Sequence, residues 1–114
     1  MIPAMDTLKP ILIRLDNDTG YKRLLDNTKD TAGVKSGCVV LKPGDSVGEH
    51  STKNREEIII FIEGIAEVYS SKGEKVVAEK NSIVYMPPET KHDVKNVGTK
   101  DLRYVYIASP IRSG

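Results

Sequence analysis

The sequence predicts an all-β domain, an antiparallel sandwich or barrel of the jelly-roll kind, and three observations carry that prediction. Short apolar runs recur at close, even intervals, each bounded by Gly, Pro, Asn or Asp. From residue 34 onward none of these runs has the length or spacing of an amphipathic helix. No repeat, low-complexity tract or linker interrupts the 114 residues, so a single domain over 1–114 is expected. A chain of this length buries a working core without disulfides or metal staples, so a metal here would serve function more than folding.

The elements follow in order. Residues 1–33 read as N-terminal strands and a loop: "ILIRL" and "YKRLL" flank the turn "DNDTG", and "DNTKDTAG" follows. "VKSGCVVL" is closed by "KPGD", and "IIIFI" turns at Glu63-Gly64 into "IAEVY". "SSKG" leads to "EKVVA", "EKN" to "SIVYM", "PPET" to "HDVKNV" and "GTKD" to "LRYVYIA". Roughly ten strands at this spacing imply a sandwich or barrel.

Alternation of side chains assigns the faces. In "HDVKN" Asp93 and Lys95 share the charged, outer face, which turns His92, Val94 and Asn96 inward. In "LRYVYI" Arg103 marks the outside, so Leu102, Tyr104 and Tyr106 point in. Both faces of "IIIFI" are apolar. The outer face, with Ile58, Ile60 and Ile62, therefore needs cover from the N-terminal strands or a second subunit.

Composition excludes several function classes. Lys plus Arg is 17 against 16 for Asp plus Glu, a net charge of +1, which argues against nucleic acid or an anionic membrane as partner. Cys38 is the sole cysteine and sits in an apolar stretch, where an inert buried thiol is expected. "MIPAMDTLKPILIRLDND" fits neither a signal peptide nor a membrane helix, which predicts a cytoplasmic protein.

The candidate chemistry lies in two histidines, His50 and His92, each at a strand beginning after a Gly- or Pro-containing loop. Glu56 and Glu57 follow His50 at short range, directly before an apolar run where a desolvated carboxylate needs a partner. Imidazole nitrogen and carboxylate oxygen are ligands for Zn, Fe, Mn, Ni or Cu, and two imidazoles with one carboxylate leave coordination positions open. As neighbours on one strand, Glu56 and Glu57 must face opposite ways, and parity alone does not choose between them.

"GDSVGEHSTKNREEIIIFIEG" resembles the first motif of the cupins, G-x5-H-x-H-x3-4-E-x6-G, through Gly44, His50, Glu57 and Gly64 (residues 44–64). "NSIVYMPPETKHDVKN" resembles the second, G-x5-P-x-G-x2-H-x3-N, through Pro87, His92 and Asn96 (residues 81–96). The resemblance implies a cupin-type jelly-roll β-barrel with a divalent transition metal (Zn, Fe, Mn or Ni) in its mouth, held by His50, Glu57 and His92. The family spacing thereby selects Glu57 over Glu56. Thr52 stands where the motif has its second histidine, and Asn81 and Glu89 replace two glycines.

With Thr52 a poor ligand, the resemblance implies a position open to water or substrate, and Thr52 becomes a candidate substrate-binding residue. The competing readings are a metal-free pocket binding its ligand by hydrogen bonds, and two satisfied core histidines. Tyr104 and Tyr106 are candidate catalytic residues, since a phenol can donate to a substrate oxygen or act as an acid. Glu49 should be a surface carboxylate, and Lys53, Arg55 and Lys91 a solvated rim able to attract an anion.

The function so implied is enzymatic action on an oxygen-rich small molecule (a sugar, sugar phosphate or keto/enol acid) by Lewis-acid isomerase or lyase chemistry or Fe(II) dioxygenase chemistry. The alternatives are a non-catalytic module that binds or senses a small ligand or carbohydrate, and a structural dimerisation domain. A homodimer is expected. The fold alone does not choose between these.

Overall fold

Turn chemistry at the predicted places divides the chain into nine strands in the computed structural model, which describes residues 4–111. They are β1 Gly20–Leu25, β2 Lys35–Leu41, β3 His50–Ser51, β4 Arg55–Glu63, β5 Ile65–Ser70, β6 Lys75–Glu79, β7 Ser82–Met86, β8 Lys91–Asn96 and β9 Leu102–Pro110. A five-stranded sheet in the order β1-β2-β9-β4-β7 faces a four-stranded sheet in the order β3-β8-β5-β6. Every ladder is antiparallel. This is the all-β jelly-roll expected.

Two details differ from the sequence reading. "ILIRL" is not a strand, and the chain from Leu8 to Asn17 forms no ladder. A side chain takes over what a neighbouring strand would have done: Arg103 donates from Nη1 to the Leu15 carbonyl and from Nη2 to the Asn17 carbonyl. His50 does begin a strand, as expected, but that strand has only two residues, His50–Ser51.

The inner faces follow the alternation. Ile59 and Phe61 of β4, Val68 of β5, Val94 of β8, and Leu102 and Tyr104 of β9 meet in one core between the sheets. His92, Val94 and Asn96 are buried together, as the charged Asp93 and Lys95 face requires. The tight turn between β4 and β5 depends on Gly64, whose φ is +91° and where a Cβ would stand 2.7 Å from the Asp101 carbonyl oxygen.

The outer face of the large sheet is covered on one half only. Cys38, Val40 and Val105 are buried there, beside the N-terminal segment, where Asn17 donates to the Cys38 carbonyl. On the β4–β7 half, Ile58, Ile62, Ile83 and Tyr85 stay exposed.

Candidate metal centre and pocket

Strand pairing assembles the site. His50 on β3 lies directly opposite His92 on β8, and their rings sit 4.3 Å apart between centroids. Glu57 comes from the other sheet, on β4 between Ala108 of β9 and Met86 of β7. One donor atom from each of His50, Glu57 and His92 lies within 4.8 Å of the others. Glu57 and His92 are buried and His50 is exposed. Glu56 faces away, and its carboxylate accepts a hydrogen bond of 2.8 Å from the Tyr85 hydroxyl.

The hydrogen bonds at the back of each ring define what the front can do. Nδ1 of His50 is 2.9 Å from the Gly48 carbonyl and Nδ1 of His92 is 3.2 Å from the Thr90 carbonyl. A carbonyl only accepts, so each Nδ1 carries its proton and each Nε2 is left to bind a cation. Nε2 of His92 lies 2.8 Å from Oε2 of Glu57. Among the described residues the buried Oε2 has no further hydrogen-bond partner.

Two lone-pair atoms this close repel unless a cation lies with them, either a proton on the imidazole or a metal ion. The electrostatics agree: burial pulls the His92 pKa down, but the Glu57 carboxylate and the Thr90 carbonyl outweigh it and the net shift is upward. Two imidazoles and one carboxylate, braced from behind and with positions left open, fit a divalent transition metal.

Thr52, in place of a histidine, holds the two histidine loops together. Its hydroxyl donates to the Pro87 carbonyl at 2.7 Å and accepts from the Thr90 N–H at 3.0 Å. Backbone bonds from Thr52 to Thr90 and from Glu89 to Lys53 complete the clasp. Thr52 lines the pocket, with its hydroxyl committed to this clasp. Asn96 is also structural: its amide donates to the Leu41 and Lys100 carbonyls and accepts from the Gly98 N–H.

The two lost glycines leave a backbone signature. Asn81 and Glu89 have φ of 68° and 51°, the left-handed region that the motif's glycines serve. Asparagine tolerates it, but glutamate there is strained by roughly 1–2 kcal/mol. Glu89→Gly should therefore raise stability in urea unfolding by about 0.5–1 kcal/mol, after the added freedom of the unfolded chain is counted. A destabilised variant would show that the Glu89 side chain has a stabilising role of its own.

The three donors open onto a cavity of about 240 Å³. Its walls include Tyr21, Lys35, Arg55, Ile59, Tyr104 and Tyr106. Tyr104 is buried, and burial pushes its phenol pKa up. Burial also raises that of Tyr106, together with a hydrogen bond of 2.7 Å between its hydroxyl and that of Tyr21. Both phenols are therefore protonated at neutral pH and available as donors or acids, not as bases. Glu49 is exposed, and of the three rim cations only Arg55 reaches the cavity wall; Lys53 and Lys91 do not.

Sequence reasoning missed Tyr21 and Lys35. Lys35 had a signal, since it shares parity with the inward Val39. Tyr21 had none, because its place depends on Gly37, where a Cβ would lie 2.4 Å from the Tyr21 ring and 2.8 Å from the Tyr106 ring.

A two-sheet antiparallel jelly roll whose mouth presents two histidines and a carboxylate defines a class of small β-barrels with a donor cluster of the kind that suits a metal. A family model for the cupin domain matches residues 37–108, so the chain belongs to the cupin family. It is 30% identical over 87 residues to polyketide synthase CurC of Streptomyces cyaneus, covering 74% of this chain and 56% of that protein. It is 31% identical over 71 residues to mannose-1-phosphate guanylyltransferase of Salmonella montevideo, covering 62% of this chain and 15% of that one. The chain thus spans about half or less of the length of these relatives. The cupin 2 conserved barrel domain protein of Salinispora arenicola superposes with a TM-score of 0.69 at 29% identity, covering 94% of this chain and 90% of that one.

Among the described residues no helix is long and apolar enough to cross a membrane.

Proposed function

We propose that this cupin holds a divalent transition metal through His50, Glu57 and His92 and acts enzymatically on a small, oxygen-rich molecule in the adjoining cavity. One observation carries the reading: the buried Oε2 of Glu57 faces Nε2 of His92 at 2.8 Å and has no further hydrogen-bond partner among the described residues. When bound, Zn, Fe, Mn or Ni supplies Lewis acidity to a substrate oxygen. Tyr104 and Tyr106, protonated at neutral pH, donate to oxygens on which charge develops, which suits isomerase or lyase chemistry. Thr52 keeps the substrate wall in place through its clasp. The cavity, near 240 Å³, is smaller than sites for drug-sized ligands, which points to a compact substrate. Two relatives are named for polyketide and mannose-1-phosphate chemistry, which is oxygen-rich in both cases.

Elemental analysis of untagged protein purified without chelators tests this. About one transition-metal ion per chain is expected. A bound organic molecule without metal would replace the enzyme by a binding module, and finding neither would overturn the reading.

We also propose a homodimer, which buries the open half of the large sheet. Ile83 is 67% and Tyr85 55% exposed there, beside Ile58 and Ile62, and clustered exposed apolar side chains of this kind mark interaction surfaces. Light scattering at micromolar concentration should give twice the chain mass. A monomeric mass would refute the dimer.

A further inference from the structure

We propose that Arg55 and Lys35 form an anion-binding subsite in this cavity, so that the substrate carries a carboxylate or phosphate group. The inference rests on the metal-site reading for the cavity's role, and on separate residues for its chemistry.

Register puts the two cations beside the metal-site carboxylate. Lys35 on β2 and Glu57 on β4 both pair with Ala108 of β9, so the three form one row across the inner face of the large sheet. Arg55 precedes Glu57 by two residues on β4 and shares its face. Between Lys35 and Glu57 stands only the methyl group of Ala108, which leaves the floor of the cavity open. Lys35, Arg55 and Ala108 all line it.

Neither cation is spent on the fold. Lys22, Arg23, Lys42, Lys75 and Arg103 each pair with a carboxylate, whereas neither Lys35 nor Arg55 is so paired among the described residues. Nε of Arg55 is buried and, among the described residues, has no hydrogen-bond partner. A buried guanidinium N–H without an acceptor is costly, and the fork it belongs to matches two oxygens of a carboxylate or phosphate. Among the wall phenols, Tyr104 can also donate to an oxygen, and the mutually hydrogen-bonded pair of Tyr21 and Tyr106 has one further O–H to give. Among the described residues Glu57 is the sole carboxylate in the cavity wall, and on the metal-site reading it is engaged there.

The test uses chelator-treated protein, so that a probe anion cannot report on a metal. Malonate and inorganic phosphate are titrated separately while the backbone amide signals of the cavity-lining residues, present in every variant, and the Arg55 Nε–H signal of the unaltered protein are followed by ¹H–¹⁵N NMR, with sodium chloride at matched ionic strength as control. A saturable shift is expected with one or both probes, and the tighter probe identifies the substrate's anionic group. Arg55→Gln should weaken probe binding by roughly tenfold or more and Lys35→Gln by less, since the guanidinium loses paired, charge-assisted hydrogen bonds. Arg55→Lys should fall between, keeping charge without the fork. Metal content of all three variants should match that of the unaltered protein, which separates this subsite from the metal site. Shifts reproduced by chloride, or equal affinity in Arg55→Gln, would overturn the proposal.

Discussion

Glu57→Gln should lose ten- to a hundredfold or more in metal affinity, while Glu56→Gln leaves metal content nearly unchanged. The two residues are chain neighbours of identical chemistry, so the contrast isolates orientation. Glu57 points between the sheets with its Oε2 beside His92, and Glu56 points out to the hydroxyl of Tyr85. Glutamine preserves the size of Glu57 but removes the charge that a metal ion, or the protonated His92, balances. Losing a direct ligand should exceed the ten- to hundredfold typical for groups that merely support one. The measurement is competition against a chelator of known affinity, with circular dichroism to confirm folding. Equal losses in both variants, or a greater loss from Glu56→Gln, would mean that the carboxylate facing the histidines does not hold the metal.

Thr52→Val should destabilise the fold by roughly 2–4 kcal/mol and weaken metal binding with it. Valine keeps the shape, but the Thr90 N–H and the Pro87 carbonyl both lose their partner. Thr90 is fully buried and Pro87 half-buried, so water cannot replace the bond at Thr90, where an orphaned group costs about 1–3 kcal/mol, and the Pro87 carbonyl adds a smaller loss. The histidine loops are joined through this clasp, so loosening it disturbs the pairing of His50 with His92. Thr52→Ser keeps a hydroxyl and should retain most of the stability. Thr52→His would offer the fourth ligand that the family motif carries while removing the clasp, so tighter metal binding with lower stability is expected. Urea unfolding with chelator competition reads both effects. Stability of Thr52→Val within about 0.5 kcal/mol of the unaltered protein, the range of ordinary surface changes, would show that the clasp contributes little.

Much of the site was legible before any coordinates. Period-two alternation orients a strand from its own residues, so "HDVKN" alone turned His92, Val94 and Asn96 inward, and "LRYVYI" did the same for Tyr104 and Tyr106. Turn residues between apolar runs placed seven of the later strands, because Gly, Pro, Asn and Asp act on the backbone locally. Motif spacing singled out His50, Glu57 and His92, which the fold brings within reach of one ion. Other features depend on partners distant in sequence. "ILIRL" forms no ladder, and Arg103, far along the chain, meets the carbonyl of its last residue, Leu15, and that of Asn17 beyond it. Tyr21 reached the cavity because Gly37 left space for two stacked rings. Lys35 and Glu57 became neighbours by both pairing with Ala108, and Thr52 became a clasp through its contacts with Pro87 and Thr90. Local backbone preference and side-chain parity are properties of a segment, whereas cross-strand register and hydrogen-bond partnership arise only when separate segments pack against each other.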